Sequence, residues 1–348
     1  MAKILLFSDI HVHEHKNKQE RLQNCLDALF WVFNTARERG IKDVVFGGDL
    51  FQDRQNISVF TYHQTYKIIS QFKDLNLWFL LGNHDLWYYD KTDISSVEPL
   101  GALPHLTVID QPTTIKIAGL DIDFLPFTHN PIVSMSDNFS QKKSPVLVGH
   151  IAVHGATLNF HHRTRSEVSV ENEKGVVQVS KEIFDGYERV FLGHYHGAQQ
   201  ITERVEYIGS TLQLTFGEAF QTKHIIVLDT DTLKREYIEN TFSPRHYILT
   251  PDQVDDYDLN GNFVRIAVED AGLVDIMELR QKIAEQAPDA QIKIFEDKKL
   301  EADNSEFVQK FKITEGDTIE RYVKTVGYGD LDETRLLEYG KDIITNEN

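Results

Sequence analysis

Apolar residues come in two rhythms along this chain, and the change of rhythm marks its organisation. Residues 3–8 form a short apolar run that predicts a buried strand. Residues 17–39 then place Leu22, Leu26, Leu29, Phe30 and Phe33 on one helical face, which Gly40 closes. A second strand is predicted over 43–46, and a second helix over 58–73 with Tyr62, Tyr66, Ile69 and Phe72 turned inward. A third strand follows at 77–81. Strand, helix, strand, helix, strand on short links predicts a parallel sheet wrapped by helices.

After Asp85 the rhythm becomes one of short, closely spaced strands, at 106–109, 113–117 and 120–125, with a turn around Lys116-Ile117-Ala118-Gly119. They predict a second sheet packed on the first, which strands at 145–148, 189–192, 200–202, 205–208, 224–228 and 235–238 would complete. Residues 154–176 are polar, rich in His and Arg, and without a clean period, so a long loop or insertion is expected there. The acidic, turn-rich stretch 243–262 reads as a domain boundary. Beyond it a strand (263–268), a helix (274–287) and a strand (291–295) make a small α/β unit. Leu336, Leu337, Ile343 and Ile344 recur at helical spacing over 330–344, as in an amphipathic terminal helix. The expected domains are therefore 1–243, 244–326 and 327–348.

The predicted strands end in unusual company. Asp9 and His11, Asp49, Asn83-His84-Asp85, His150, and His194 and His196 each follow an apolar run or a glycine at a strand tip, which is where α/β folds keep their chemistry. Residues i and i+2 of an extended segment point the same way. Asp9 with His11, and His194 with His196, are thus each expected to offer two groups to one spot. Mixed imidazole and carboxylate donors suit Mn, Fe or Zn better than Ca or Mg. Even seven ligands drawn from these residues exceed the needs of one ion, and two ions about 3.5–4 Å apart require a bridging anion. Asp49 is the natural bridge.

Composition narrows the partners. The 348 residues carry a formal charge of −18, which weighs against a protein that holds nucleic acid by charge alone. Two thirds of that excess, −12, falls in residues 250–348, leaving the larger N-terminal part only mildly acidic. The lone Cys25 is expected in the core, and it fits a reducing compartment. No apolar run approaches the roughly 18 residues of a membrane span, so a cytoplasmic protein without membrane contact is expected.

In chain order, Asp9-Ile10-His11, Gly48-Asp49, Gly82-Asn83-His84-Asp85, Gly149-His150 and Gly193-His194-Tyr195-His196 resemble the DxH, GD, GNH[DE], GH and GHxH motifs of the calcineurin-like metallophosphoesterase superfamily, over residues 3–239. The resemblance implies a two-sheet α/β sandwich flanked by helices. It also implies two divalent metal ions, one held by Asp9, His11, Asp49 and His196 and the other by Asp49, Asn83, His150 and His194. By the same resemblance His84 is the proton donor and Asp85 orients it. Serine/threonine phosphatases of this fold show GDxxDRG and GNHE. Here Gly48-Asp49-Leu50-Phe51-Gln52-Asp53-Arg54-Gln55 is one residue longer before Asp-Arg, and Asp85 stands for Glu.

Downstream, Tyr207-Ile208-Gly209-Ser210 with Phe216-Gly217-Glu218 is similar to the YPGS…FGE segment of the SbcD-type (Mre-eleven-like) double-strand-break repair nucleases. That likeness implies a DNA substrate, Mn as the metal, a small α/β capping domain, a homodimer contact on the helix over 58–73, and a C-terminal helix that binds a coiled-coil ATPase of the SbcC type. Length and compactness are most similar to the phage recombination nuclease subunits of that family, which would place the chain in the host cytoplasm. Three positions depart from the pattern: Gln52 stands where the family has His after GDLF, Val12-His13 where it has Leu-Gly, and Ile208 where it has Pro. Arg54, Arg163 and Arg165, with His161, His162, Lys142 and Lys143, are candidates for touching DNA phosphates. The alternatives are a small-substrate phosphodiesterase or nucleotidase of the same fold, and a non-catalytic scaffold.

Overall fold

The chain begins with β1 (Lys3–Phe7), α1 (Gln19–Glu38), β2 (Asp43–Phe46), α2 (Val59–Ile69) and β3 (Asn76–Leu80), the alternation that the apolar pattern predicts. The structure is a computed structural model that describes residues 2–14, 19–88, 91–140, 144–156, 177–268, 273–287 and 290–296. On α1 the buried stripe is Leu22, Cys25, Leu26, Leu29, Val32, Phe33 and Ala36, at the spacing of three and four that one helical face requires. Phe30, expected inside, lies one step round the helix and is 43% exposed. α2 starts where the Ser58 hydroxyl accepts the Thr61 N–H at 3.0 Å and ends short of the expected residue 73. Phe72 is buried in the turn after it, Tyr62 stacks on Phe51, and Tyr66 turns outward rather than in.

β4 (Leu106–Ile109) pairs parallel with β3 and belongs to the first sheet, not the second. So do β11 (His224–Asp229) and β12 (Arg235–Glu239), which add antiparallel to the free edge of β1. The first sheet therefore runs β12-β11-β1-β2-β3-β4. Alternating apolar residues have the same period whichever sheet a strand joins; the choice is made by which edge is left open, and β1 has one because β2 occupies its other side.

The second sheet runs β5-β6-β7-β8-β10-β9. It opens on the hairpin of β5 (Thr113–Ile117) and β6 (Leu120–Leu125), whose Ala118 and Gly119 at φ 47° and 86° form the left-handed turn that suits strand twist. β7 (Val146–His150) and β8 (Arg189–Gly193) follow in parallel, then β9 (Gln199–Gln200) and β10 (Val205–Tyr207). A helix absent from the sequence expectation, α3 (Pro131–Phe139), leaves β6; its start is signalled by Asn130, whose side chain accepts the Val133 N–H, and by Pro131 in its first turn.

The two sheets pack face to face through Ile4, Leu6, Val45 and Ile226 on one side and Ile122, Phe124, Val148 and Phe191 on the other. The opposite face of the first sheet, including Leu5, Phe7, Phe46 and Phe79, is covered by α1 and by residues around α2. Strands buried on both faces read as unbroken apolar runs, as residues 4–7 do. Within the stretch expected as a boundary lies β13 (His246–Leu249), which pairs parallel with β14 (Phe263–Val268) and, through it, with β15 (Gln291–Glu296); α4 (Leu273–Gln286) links the last two. Residues 157–176, most of the expected loop, and the expected helix over 330–344 lie outside the described residues. No helix among the described residues is long and apolar enough to cross a membrane.

Candidate functional site

β1, β2 and β3 run parallel in one sheet, and β6, β7 and β8 run parallel in the other. Their C-terminal ends share an edge, and there the chain leaves ordinary backbone space. Asp9, His11 and Asp49 take φ of 51°, 48° and 63°, and His194 takes 100°. Left-handed backbone at non-glycine residues costs on the order of 1–3 kcal/mol each and persists where surrounding bonds impose it. Here the Asp9 N–H donates to the Gly48 carbonyl at 3.0 Å and the His11 N–H to the Asp49 carbonyl at 3.1 Å. The expectation that extended backbone aims these side chains is thus corrected, since left-handed residues do it. Asp9 and His11 do meet at one spot, as expected, whereas His194 and His196 do not: one meets Asn83, the other His11.

All seven groups singled out as candidate ligands come together. His11 Nε2 lies 3.6 Å from Asp49 Oδ2, 3.8 Å from Asp9 Oδ1 and 3.0 Å from His196 Nε2. On the other side of Asp49, His150 Nε2 lies 3.3 Å from Oδ2 and 3.0 Å from Asn83 Oδ1, which is itself 3.0 Å from His194 Nδ1. Ligand atoms of Asp9, His11 and His196, and of Asp49, His150 and His194, fall within 4.8 Å of one another in each group. His150 Nδ1 faces the Gly47 carbonyl at 2.8 Å and must donate to it; burial would lower this ring, but Asp49 beside it holds it up at about 9 without an ion, and a cation that displaced the second proton would meet the Nε2 lone pair turned inward. Oxygen and imidazole nitrogen atoms crowded at 3.0–3.8 Å in a buried pocket, every one of them able to give a lone pair once its proton is displaced, make the donor set of a cation site, and oxygen with imidazole suits a divalent transition ion. The carboxylates lean the same way. Burial alone would raise Asp49, yet the surrounding imidazoles, His150 and His84 first, hold it well below the usual range. Burial and then the neighbouring His150 push His194 down to about 3, which keeps its ring neutral.

His84 belongs to the same cluster, its ring edge-on to that of His11 at 4.8 Å. Its Nδ1 lies 2.7 Å from the Gln52 carbonyl and so carries a proton, leaving Nε2 for other work. Asp85 does not orient it. The Asp85 carboxylate accepts the backbone N–H of Asp49, Leu50 and Gly82, each at 2.9 Å, so it ties the β2 tip to the β3 tip. Close approach explains Gly82, where a Cβ would run into the Asp49 carboxylate and backbone nitrogen. Arg54 lies half-buried three residues beyond Phe51 on the same loop as Gln52. Arg163 and Arg165, with His161, His162, Lys142 and Lys143, lie outside the described residues.

Two residues at the site escaped the sequence reading. Glu218, buried, reaches His196 Nδ1 at 3.2 Å and pairs with Lys223 at 2.7 Å. The only sequence signal was the Phe216-Gly217-Glu218 segment itself, which marks a likeness without assigning a task.

Residues 2–198 match the family described as calcineurin-like phosphoesterase. The chain is 23% identical over 348 residues to exonuclease subunit 1 of Enterobacteria phage T4, with 98% of each chain covered. It is 24% identical over 266 residues to the D subunit of the SbcCD nuclease of Staphylococcus saprophyticus, covering 70% of this chain and 68% of the other. The protein of the same name from Staphylococcus epidermidis is 22% identical over 268 residues, covering 70% and 69%.

Proposed function

The chain belongs to the calcineurin-like phosphoesterase family, enzymes that hydrolyse phosphoester bonds, and on that premise we propose that it is a Mn-dependent nuclease subunit cutting phosphodiester bonds in DNA during end processing, recombination and repair. The convergence of six side chains that can offer a lone pair around Asp49 supports the dimetal part. DNA as substrate is supported by likeness along the full length to a protein named as an exonuclease subunit.

Asp9, His11 and His196 would hold one ion, Asn83, His150 and His194 the other, and Asp49 both. When bound, two divalent ions would supply positive charge to the phosphate and a water of lowered pKa, and against Asp9 and Asp49 would leave the centre at about +2 within an acidic protein. His84, with Nδ1 pinned on the Gln52 carbonyl, is the proton donor to the leaving oxygen through Nε2 when its ring is charged. Asp85 keeps Asp49 in register by holding three backbone N–H groups. Arg54, Arg163 and Arg165 are the proposed contacts to DNA phosphates.

The partners are a coiled-coil ATPase of the SbcC type, bound through residues 327–348, and a second copy of this chain. For the second copy, α2 presents Val59, Phe60 and Tyr66 to solvent, Val59 at 87% exposure. The proposed domains are 1–243, 244–326 and 327–348, and the proposed location is the host cytoplasm if the gene is a phage's. Hydrolysis of blunt, overhanging and circular single-stranded DNA under Mn, with and without the ATPase, tests the assignment against an aryl phosphodiester. Turnover of the aryl ester with no cleavage of any DNA would move the enzyme to the small-substrate class.

A further inference from the structure

A buried charge cluster touches the site from behind. Glu218 and Lys223 have side chains 4% exposed and pair at 2.7 Å. Glu218 Oε2 also lies 2.8 Å from the Ser210 hydroxyl and accepts the Leu214 N–H at 3.3 Å. Lys223 Nζ donates to the His196 carbonyl and to Ser210 Oγ, both at 2.8 Å. A buried ion pair is often no better for stability than well-packed apolar residues of the same volume, so its location is worth reading. The remaining oxygen, Glu218 Oε1, lies 3.2 Å from His196 Nδ1.

A carboxylate can only accept. Facing Glu218, His196 must therefore carry a proton on Nδ1, and in the neutral ring its Nε2 is the lone pair turned toward His11 and the centre. His150 and His84 set their Nδ1 atoms against main-chain carbonyls instead, those of Gly47 and Gln52. A carboxylate in that place does more than a carbonyl, since it also raises the basicity of the ligating nitrogen. Glu218 is held from its far side as well. It ends a single turn, Phe216–Glu218, in which the Thr215 hydroxyl accepts the Gly217 N–H at 3.2 Å. The Phe216 ring meets His246 edge-on at 4.7 Å and lies under the Arg265 guanidinium at 4.0 Å, so the third sheet anchors the turn.

We propose that Glu218 is a positioning residue of the metal centre: its carboxylate fixes the tautomer and ring angle of His196 so that Nε2 is offered to a divalent ion, and Lys223, paired with its other oxygen at 2.7 Å, holds that carboxylate in place. The inference rests on His196 being a ligand, as assigned above.

Calorimetric titration of the full chain with Mn tests it directly. Glu218→Gln puts an amide NH2 either against Lys223, where two donors collide, or against His196 Nδ1, where it forces the proton onto Nε2. One of the two Mn sites is expected to weaken by about 10–100-fold, the range for lost outer partners of ligands, and the other to stay near wild type. The double variant Glu218→Gln with Lys223→Met removes the nearest opposing donor and leaves the Leu214 N–H at 3.3 Å with a Ser210 hydroxyl that can turn to accept, so the amide oxygen can accept from Nδ1 again and affinity should recover in part. A purely structural role would not predict that recovery. Glu218→Asp keeps the charge beside Lys223 while withdrawing it from His196, and decides the matter if Glu218→Gln does not fold. Nitrogen-15 imidazole spectra of the wild-type chain loaded with Zn should show His196 protonated at Nδ1. Wild-type affinity at both sites in Glu218→Gln or Glu218→Asp, or a His196 proton on Nε2, overturns the proposal. A wild-type chain that takes up no divalent ion would instead bring down the metal centre on which it rests.

Discussion

Replacing Asp85 with Asn separates two accounts of this residue. Its carboxylate is buried, with Oδ2 taking the N–H groups of Asp49 and Gly82 and Oδ1 that of Leu50, all at 2.9 Å. An amide has one oxygen. Turned toward Asp49 and Gly82, it sets its NH2 against the Leu50 N–H, and a buried donor left unpaired costs about 1–3 kcal/mol. The two retained bonds lose their charge-assisted part, about 1 kcal/mol each. Burial, then repulsion from Asp49, lift the Asp85 carboxyl to about 7, so removing the charge offsets some of this loss. The balance is a destabilisation of about 2–4 kcal/mol, or a fall in Tm of roughly 3–6 °C for a chain of this size. Because two of the three N–H groups that Asp85 holds belong to Asp49 and its neighbour Leu50, weakening one bond and losing the other should lower Mn affinity at least about tenfold as well. Thermal unfolding of the ion-free protein followed by Mn calorimetry reads both. If Asp85 acted on the His84 ring, the variant would keep wild-type Tm and affinity and lose only hydrolysis; that outcome would refute the backbone-clamp account.

Three further outcomes are expected. His84→Ala should bind two ions as the wild type does while hydrolysing DNA ends about 10²–10⁴-fold more slowly, and undiminished cleavage would remove it as proton donor. Gly82→Ala should lose ion affinity at both sites, because its Cβ displaces the Asp49 carboxylate they share; calorimetry showing two intact sites would contradict the close approach. Burial first, then Arg21, push His246 down to about 3, and burial holds His224 down to about 4. Between those values and about 6.5 the unfolded chain binds protons that the folded chain does not, so stability is present above pH 6.5 and is lost as pH falls, by up to about 1.4 kcal/mol per pH unit for each group. Denaturant melts from pH 7 to pH 5 should show that slope, reduced in His246→Phe; an unchanged slope would mean His246 titrates normally in the fold.

The strand tips were legible in the sequence because their signal is local. An apolar run that breaks into Gly-Asn-His-Asp or Gly-His-Tyr-His can be read without knowing any neighbour, and parallel order then implies that such tips gather on one edge. The start of α3 had an equally local signal in Asn130-Pro131, which the apolar pattern alone passed over. What the tertiary structure decided is who stands beside whom. β4, β11 and β12 alternate as any strand does, and only the open edges of β3 and β1 assign them to the first sheet. The task of Asp85 depends on N–H groups 35 and 36 residues away, and that of Glu218 on an imidazole 22 residues earlier. The residue types that meet an ion are thus determined along the chain, whereas the charges and backbone groups that hold them at the right angle come from elements that only folding brings together.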